Sequence, residues 1–115
     1  MRRKESARWG TVIGLVALLA FALPLQALAF ECVARMKEAN QALSQAEQAV
    51  FSVSDAKTKG QVSAYIAVAK QLSAEADTEH KDAAAKKSAE GHYRSAAKAK
   101  AAKALADMAL AAASK

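Results

Sequence analysis

The sequence contains few of the residue types that define disulfide-rich, β-rich or phosphate-binding proteins. Its 115 residues include one Cys, one Pro, four Gly, one Trp, two Tyr and three Phe. A single Cys excludes intramolecular disulfides and a Cys-rich zinc module. So few aromatic side chains disfavour a β-sandwich or β-barrel, and the sequence contains neither of the common Gly-rich phosphate-binding motifs. What is abundant is Ala, with 32 copies, which favours an all-α protein.

The N-terminus has the three-part order of a secretory signal peptide. A basic start is followed by an uncharged stretch over residues 9–30 and by the A-x-A cleavage site Ala27-Leu28-Ala29. We therefore expect residues 1–29 to be a signal peptide and residues 30–115 to form a periplasmic or secreted Ala-rich domain. The alternative is an uncleaved inner-membrane anchor over residues 9–30, with the C-terminal domain outside the cytoplasm. A lipid anchor at Cys32 fits poorly, because Glu31 stands where a small residue is needed.

Removal of the signal peptide also changes the net charge of the chain and the surroundings of Cys32, its only Cys. The whole chain has 17 basic and 11 acidic residues, a net charge of +6, and residues 30–115 keep 13 basic and 10 acidic residues. Cys32 would lie near the new N-terminus in an oxidising compartment. It would be a frayed free thiol, part of an intermolecular disulfide, or a buried apolar side chain.

Heptad spacing predicts three helices after the leader. The first apolar stripe consists of Met36, Ala39, Leu43, Ala46, Val50 and Val53. We expect that helix to end at Gly60, in a left-handed C-terminal position. The second stripe consists of Val62, Tyr65, Ala69, Leu72 and Ala76. Its helix should run to about residue 89, or break near residues 77–82 to give four helices.

The third helix is predicted from His92 to about Ala113, with Gly91 as the stop signal before it. Its stripe consists of Tyr93, Ala97, Ala101, Ala104, Met108 and Ala111. Short connections make neighbouring helices antiparallel, so the sequence predicts an antiparallel three-helix bundle of coiled-coil type. Because Ala provides little core, we expect association with an envelope protein or with a second copy.

No spacing of nucleophile, base and acid indicates catalysis, so we expect no enzymatic activity. The candidate ligands for a divalent transition metal are Asp77, Glu79, His80 and His92. With a turn at Gly91, the two histidines should lie roughly 15 Å apart, too far to share an ion. We therefore expect both to be solvated surface residues.

The C-terminal part of the chain is basic and offers a second candidate for binding. Lys98, Lys100 and Lys103 could contact an anionic surface such as lipid headgroups or acidic polysaccharide. Nucleic acid is not expected as a partner of an exported protein.

Several segments resemble the bacterial periplasmic small metal-binding proteins. They are Ala46–Val50, Lys59-Gly60-Gln61, Ala67–Leu72 and Ala89-Glu90-Gly91-His92 with Ala96-Ala97-Lys98. Such proteins are leader-bearing, Ala-rich helical bundles that bind metal ions through His along their helices. The corresponding helix positions here are mostly Ala, Lys, Gln or Ser, and only His92 matches the family's Glu-Gly-His turn motif. The stretch Gly91 to Ala112 also looks like an uncharacterised family of Ala-rich envelope domains with tetratricopeptide-like helix pairs.

These observations predict an exported, non-enzymatic binding or scaffold protein of the cell envelope. Two other functions are weak periplasmic metal sequestration and a single-pass, membrane-anchored accessory subunit of an envelope complex.

Overall fold

The fold is a bundle of three helices. The computed structural model describes the backbone of residues 2–115 and the side chains of residues 25–115. The helices are α1 (Arg2–Val50), α2 (Ala56–Lys86) and α3 (Ala89–Ala113). This part of the chain contains no strand, so the predicted all-α three-helix bundle is confirmed.

The predicted signal peptide falls mostly outside the residues with described side chains, and so does the alternative anchor over residues 9–30. Among the residues that are described, no helix has an apolar stretch long enough to cross a bilayer.

Polar contacts between helices define their directions. Ser73 on α2 donates a hydrogen bond of 2.8 Å to Asn40 on α1, and Lys70 lies 2.6 Å from Glu47. The residue number rises on one helix as it falls on the other, so α1 and α2 are antiparallel. α3 turns back along α2 and therefore runs parallel to α1.

The first connection lies earlier than the predicted end at Gly60, and that prediction is wrong. α1 ends at Val50, and a loop over residues 51–55 leads into α2. Asp55 caps α2 by accepting hydrogen bonds from the backbone N–H and the hydroxyl of Thr58, at 2.8 and 2.7 Å. These two bonds lower the pKa of the Asp55 carboxyl. The capping Asp therefore determines where the connection ends and α2 begins, and Gly60 lies inside α2.

The second connection is also displaced from its predicted position. α2 ends at Lys86 and α3 begins at Ala89, so Gly91 lies in the first turn of α3. Lys87 adopts the left-handed conformation, with a φ of 52°, and Ser88 accepts a hydrogen bond of 3.0 Å from the Gly91 N–H. α2 is continuous through residues 77–82, which excludes the four-helix alternative.

Two of the three predicted stripes face the core. Most members of the α1 and α2 stripes are buried or half-buried. The α3 stripe is wrong, because Tyr93 is 62% exposed and Met108 is 48% exposed. The buried face of α3 instead consists of His92, Ser95, Ala96, Ala99, Ala102, Ala106 and Ala109.

The core differs between the two ends of the bundle. Near the 51–55 loop it contains larger apolar side chains, among them Leu43, Val62 and Ile66. Near the α2–α3 turn the buried positions hold mainly Ala, together with Cys32 and His92. Small side chains let the helix axes approach closely at that end.

α2 and α3 approach each other closely at Gly91. A Cβ atom built on Gly91 would lie 2.7 Å from the Cβ atom of Ala83, a separation that real carbon atoms cannot hold. Gly91 is therefore required for contact between two helices, and not for a left-handed turn.

We predict that Gly91→Ala destabilises the protein by about 1–3 kcal/mol, because the added methyl group forces α2 and α3 apart. Gly60→Ala is the matched control, since a Cβ atom there meets nothing within 4 Å. In a helix interior it should stabilise the protein by about 0.5–1 kcal/mol. Urea unfolding followed by circular dichroism measures both changes. Equal effects of the two substitutions would contradict the close packing at Gly91.

Candidate metal centre

Three potential metal ligands meet at the end of the bundle near the α2–α3 turn. Cys32 comes from α1, His80 from α2 and His92 from α3, and one ligand atom of each lies within 4.8 Å of the others. The rings of the two histidines have centroids 5.3 Å apart and are tilted by 59°. Each helix of the bundle thus contributes one side chain.

The predicted separation of about 15 Å between the histidines is wrong, because it placed the turn at Gly91. With the turn at Lys87–Ser88, His80 lies seven residues before it and His92 four residues after it. At a rise of about 1.5 Å per residue, the two positions differ by only about 4.5 Å in height in an antiparallel pair. A shift of three residues in the turn therefore brings the two rings together.

Cys32 is completely buried, so of its three expected states the structure shows the buried one. Its Sγ donates a hydrogen bond of 2.9 Å to the backbone carbonyl of His92 and lies 3.7 Å from His92 Nδ1. Burial raises the pKa of the thiol, although polar groups of Ser95 and of the Ala96 backbone oppose this effect. The thiol is therefore protonated at neutral pH in the metal-free protein.

His92 is buried in its neutral form. Its side chain is only 3% exposed. Burial lowers the pKa of its ring, and the nearby charge of His80 lowers it further. A neutral imidazole has a free nitrogen lone pair, which is the form that binds metal ions.

His80 supplies an unsatisfied polar atom to the cluster. Its Nδ1 is buried, and among the described residues it has no hydrogen-bond partner. Buried polar atoms without a partner are uncommon in native proteins, and a bound ion is one of their ordinary explanations. His80 is also the most exposed of the three residues, so it marks the side from which an ion would enter.

The surroundings of the cluster are small and nearly apolar. Ala76, Ala83 and Ala96 are buried there. The buried Ser95 donates its hydroxyl hydrogen to the carbonyl of Ala76 at 2.6 Å. This bond ties α3 to α2 next to Cys32 and helps to fix the three ligand positions.

The structure does not bring the other two candidate ligands, Asp77 and Glu79, into the cluster. Asp77 pairs with Lys81 at 2.9 Å on the surface of α2. Glu79 Oε1 accepts a hydrogen bond of 2.8 Å from Lys98. Both carboxylates thus have lysine partners within the chain.

The lysines proposed to contact an anionic surface have acidic neighbours in the bundle. Lys98 lies between Glu75 and Glu79, at 3.1 and 2.8 Å. Lys100 lies 3.4 Å from Glu31, and Lys103 lies 2.8 Å from Asp107. Much of the positive charge on this face is therefore balanced within the protein.

Cys32 is the ligand that sequence reasoning missed, although the heptad pattern contained a signal for it. Cys32 lies four residues before Met36 and so extends the α1 stripe by one step. His80 lies four residues after Ala76, one position beyond the next step of the α2 stripe. His92 could not be added to them from the pattern, because the predicted α3 stripe and the predicted turn at Gly91 were wrong.

Comparisons with known proteins assign no family to this chain: no family model, curated protein or solved structure matches it significantly.

We predict that the metal-free protein loses stability as the pH falls from about 7 to about 5. The pKa of His92 is lowered from 6.5 by folding, so the unfolded chain takes up a proton that the folded chain resists. Acid therefore favours the unfolded state, starting near the pKa of the unfolded chain. Urea unfolding at several pH values should show this slope in the wild type and a weaker slope in His92→Asn. Identical slopes in both proteins would contradict the burial of a neutral His92.

Proposed function

We propose that this protein binds one transition-metal ion through Cys32, His80 and His92. One thiolate and two imidazoles form a donor set that suits zinc or copper, whereas calcium and magnesium prefer oxygen ligands. The proposal assigns metal sequestration to an exported helical bundle, and the leader-like pattern of residues 1–29 supports that location.

The observation that supports this function most strongly is the convergence of the three side chains. Residues 32, 80 and 92 are far apart in the sequence, yet their ligand atoms lie within 4.8 Å of one another. Elsewhere the same seam is filled largely by Ala and aliphatic side chains, which pack without any polar atom to satisfy. An imidazole nitrogen buried without a partner costs free energy that metal coordination would recover.

The distances are suitable for a metal complex. Metal–sulfur bonds of about 2.3 Å and metal–nitrogen bonds of about 2.0–2.1 Å place sulfur and nitrogen about 3.6 Å apart at a tetrahedral angle and about 3.8 Å apart at a trigonal angle. The separation of Cys32 Sγ and His92 Nδ1 is 3.7 Å. The ligand atoms lie within 4.8 Å of one another, so a bound ion must draw the more distant ones together by roughly 1 Å to reach these bond lengths.

The scaffold function expected from the thin core has less specific support. Exposed large apolar side chains are spread over all three helices and the first loop; they are Phe30, Val33, Phe51, Val68, Tyr93 and Met108. A groove of about 710 Å³ between α1 and α2 is crossed by the Lys70–Glu47 ion pair. Neither feature indicates a particular partner, whereas the ligand cluster indicates a class of ligand.

We predict that the metal-free, reduced protein binds one Co²⁺ ion and develops a thiolate-to-cobalt charge-transfer absorption. Cys32→Ser should abolish this absorption, and His80→Asn or His92→Asn should each weaken binding by about 100-fold or more, because each removes one of three ligands. Spectrophotometric titration measures the absorption and the stoichiometry together. Thermal unfolding of each metal-free variant shows whether it remains folded.

Asp77→Asn is the matched control, because Asp77 lies near His80 in the sequence but outside the cluster. Its cobalt affinity should stay within about threefold of the wild-type value. Co²⁺ binding that persists in Cys32→Ser, or that depends on Asp77 instead, would overturn the proposed function.

A further inference from the structure

The same cluster indicates which ion it would hold. Resting on the proposed function, we infer that the Cys32/His80/His92 centre binds monovalent copper, Cu⁺, in preference to divalent ions such as Zn²⁺ and Co²⁺. Three structural properties support this inference: the charge of the ligand set, the number of ligands and the burial of the site.

The charge of the ligands matches a monovalent ion. Deprotonated Cys32 carries one negative charge and the two imidazoles carry none, so a bound Cu⁺ gives a neutral complex. A divalent ion would leave one positive charge in an interior lined by Ala. Burying an unpaired charge in such surroundings is costly.

The nearest carboxylates do not supply the missing negative charge. Glu79 precedes His80 in the sequence and pairs with Lys98 at 2.8 Å. Glu31 lies beside Cys32 in the sequence and has Lys100 at 3.4 Å. Each carboxylate is thus paired with a lysine, so the only negative charge on a ligand of the centre is that of the thiolate.

The number of ligands points in the same direction. Structural zinc sites have four ligands, and catalytic zinc sites complete the set with water. Within the described part of the chain, the cluster offers three donors and no fourth. Cu⁺ has a filled d shell, forms stable three-coordinate complexes, and is selected by soft thiolate ligands.

Burial reduces access for a water molecule that could complete a zinc site. Cys32 has no exposed surface and His92 is 3% exposed, and Ala76, Ala83 and Ala96 are buried beside them. On the side of Cys32 and His92 this burial suits a trigonal ion, whereas an ion that retains water needs an open position.

The first experiment compares the two ions in the full chain. Cu⁺ is titrated under anaerobic, reducing conditions against bicinchoninate, a chromophoric Cu⁺ chelator, and Zn²⁺ is titrated against a chromophoric zinc indicator. We expect one Cu⁺ per chain, bound through Cys32 and both histidines, and Zn²⁺ bound more weakly than about 1 μM. Any accessible thiol attracts Cu⁺, so high Cu⁺ affinity alone does not support the inference. The inference is supported if Zn²⁺ binds weakly and if Cu⁺ binding depends on both histidines.

The second experiment changes the charge of the ligand set. His80→Asp replaces a neutral ligand by a carboxylate whose oxygen can occupy nearly the position of the imidazole Nδ1. The set then carries two negative charges, so Zn²⁺ affinity should rise by at least about tenfold and Cu⁺ affinity should fall. His80→Asn is the matched control, because it has the same shape without the charge and should weaken the binding of both ions. His80 is the most exposed ligand, which favours folding of both variants.

The outcomes separate the inference from the proposed function. Nanomolar Zn²⁺ binding that depends on Cys32, or unchanged preferences in His80→Asp, would overturn the inference for Cu⁺ and leave metal binding intact. Failure of Cu⁺, Zn²⁺ and Co²⁺ to bind in a manner that depends on Cys32 and the histidines would overturn both.

Discussion

The close approach of α2 and α3 is the constraint on which the site depends. A missing Cβ at Gly91 and the single methyl group of Ala83 allow the two helices to touch where a larger pair would separate them. Ser95 adds a hydrogen bond across the same interface. Because the helices are this close, the rings of His80 and His92 meet in the interior and do not point into water.

The third helix of the bundle completes the arrangement. α1 runs parallel to α3, which places Cys32 at the height of His92 and lets its thiol contact the His92 carbonyl. The apolar packing that stabilises the bundle lies mainly at the other end, around Leu43, Val62 and Ile66. A metal bound by one residue from each helix would therefore link the helices where the core is thinnest. Binding and folding free energy would then be coupled.

Sequence patterns predicted the helices well and their ends poorly. Periodicity sets which face of α1 and α2 is buried, because Leu43, Val62 and Ala69 must avoid water. The ends of the helices depend on capping. Asp55 and Ser88 cap the starts of α2 and α3, so both connections lie earlier in the chain than Gly60 and Gly91, where the sequence predicted them. On α3 the large side chains of Tyr93 and Met108 suggested the wrong face, since the buried face of this helix consists mainly of Ala. The predicted turn at Gly91 lies too late in the chain, and this error separated His80 from His92 in the predicted fold.

X-ray absorption spectroscopy of the metal-loaded protein tests whether the three side chains form one metal centre. We expect a first shell with one sulfur at about 2.3 Å and two imidazole nitrogens at about 2.0–2.1 Å. The sulfur contribution should disappear in Cys32→Ser. A first shell of oxygen and nitrogen atoms alone in the wild-type protein would contradict this expectation.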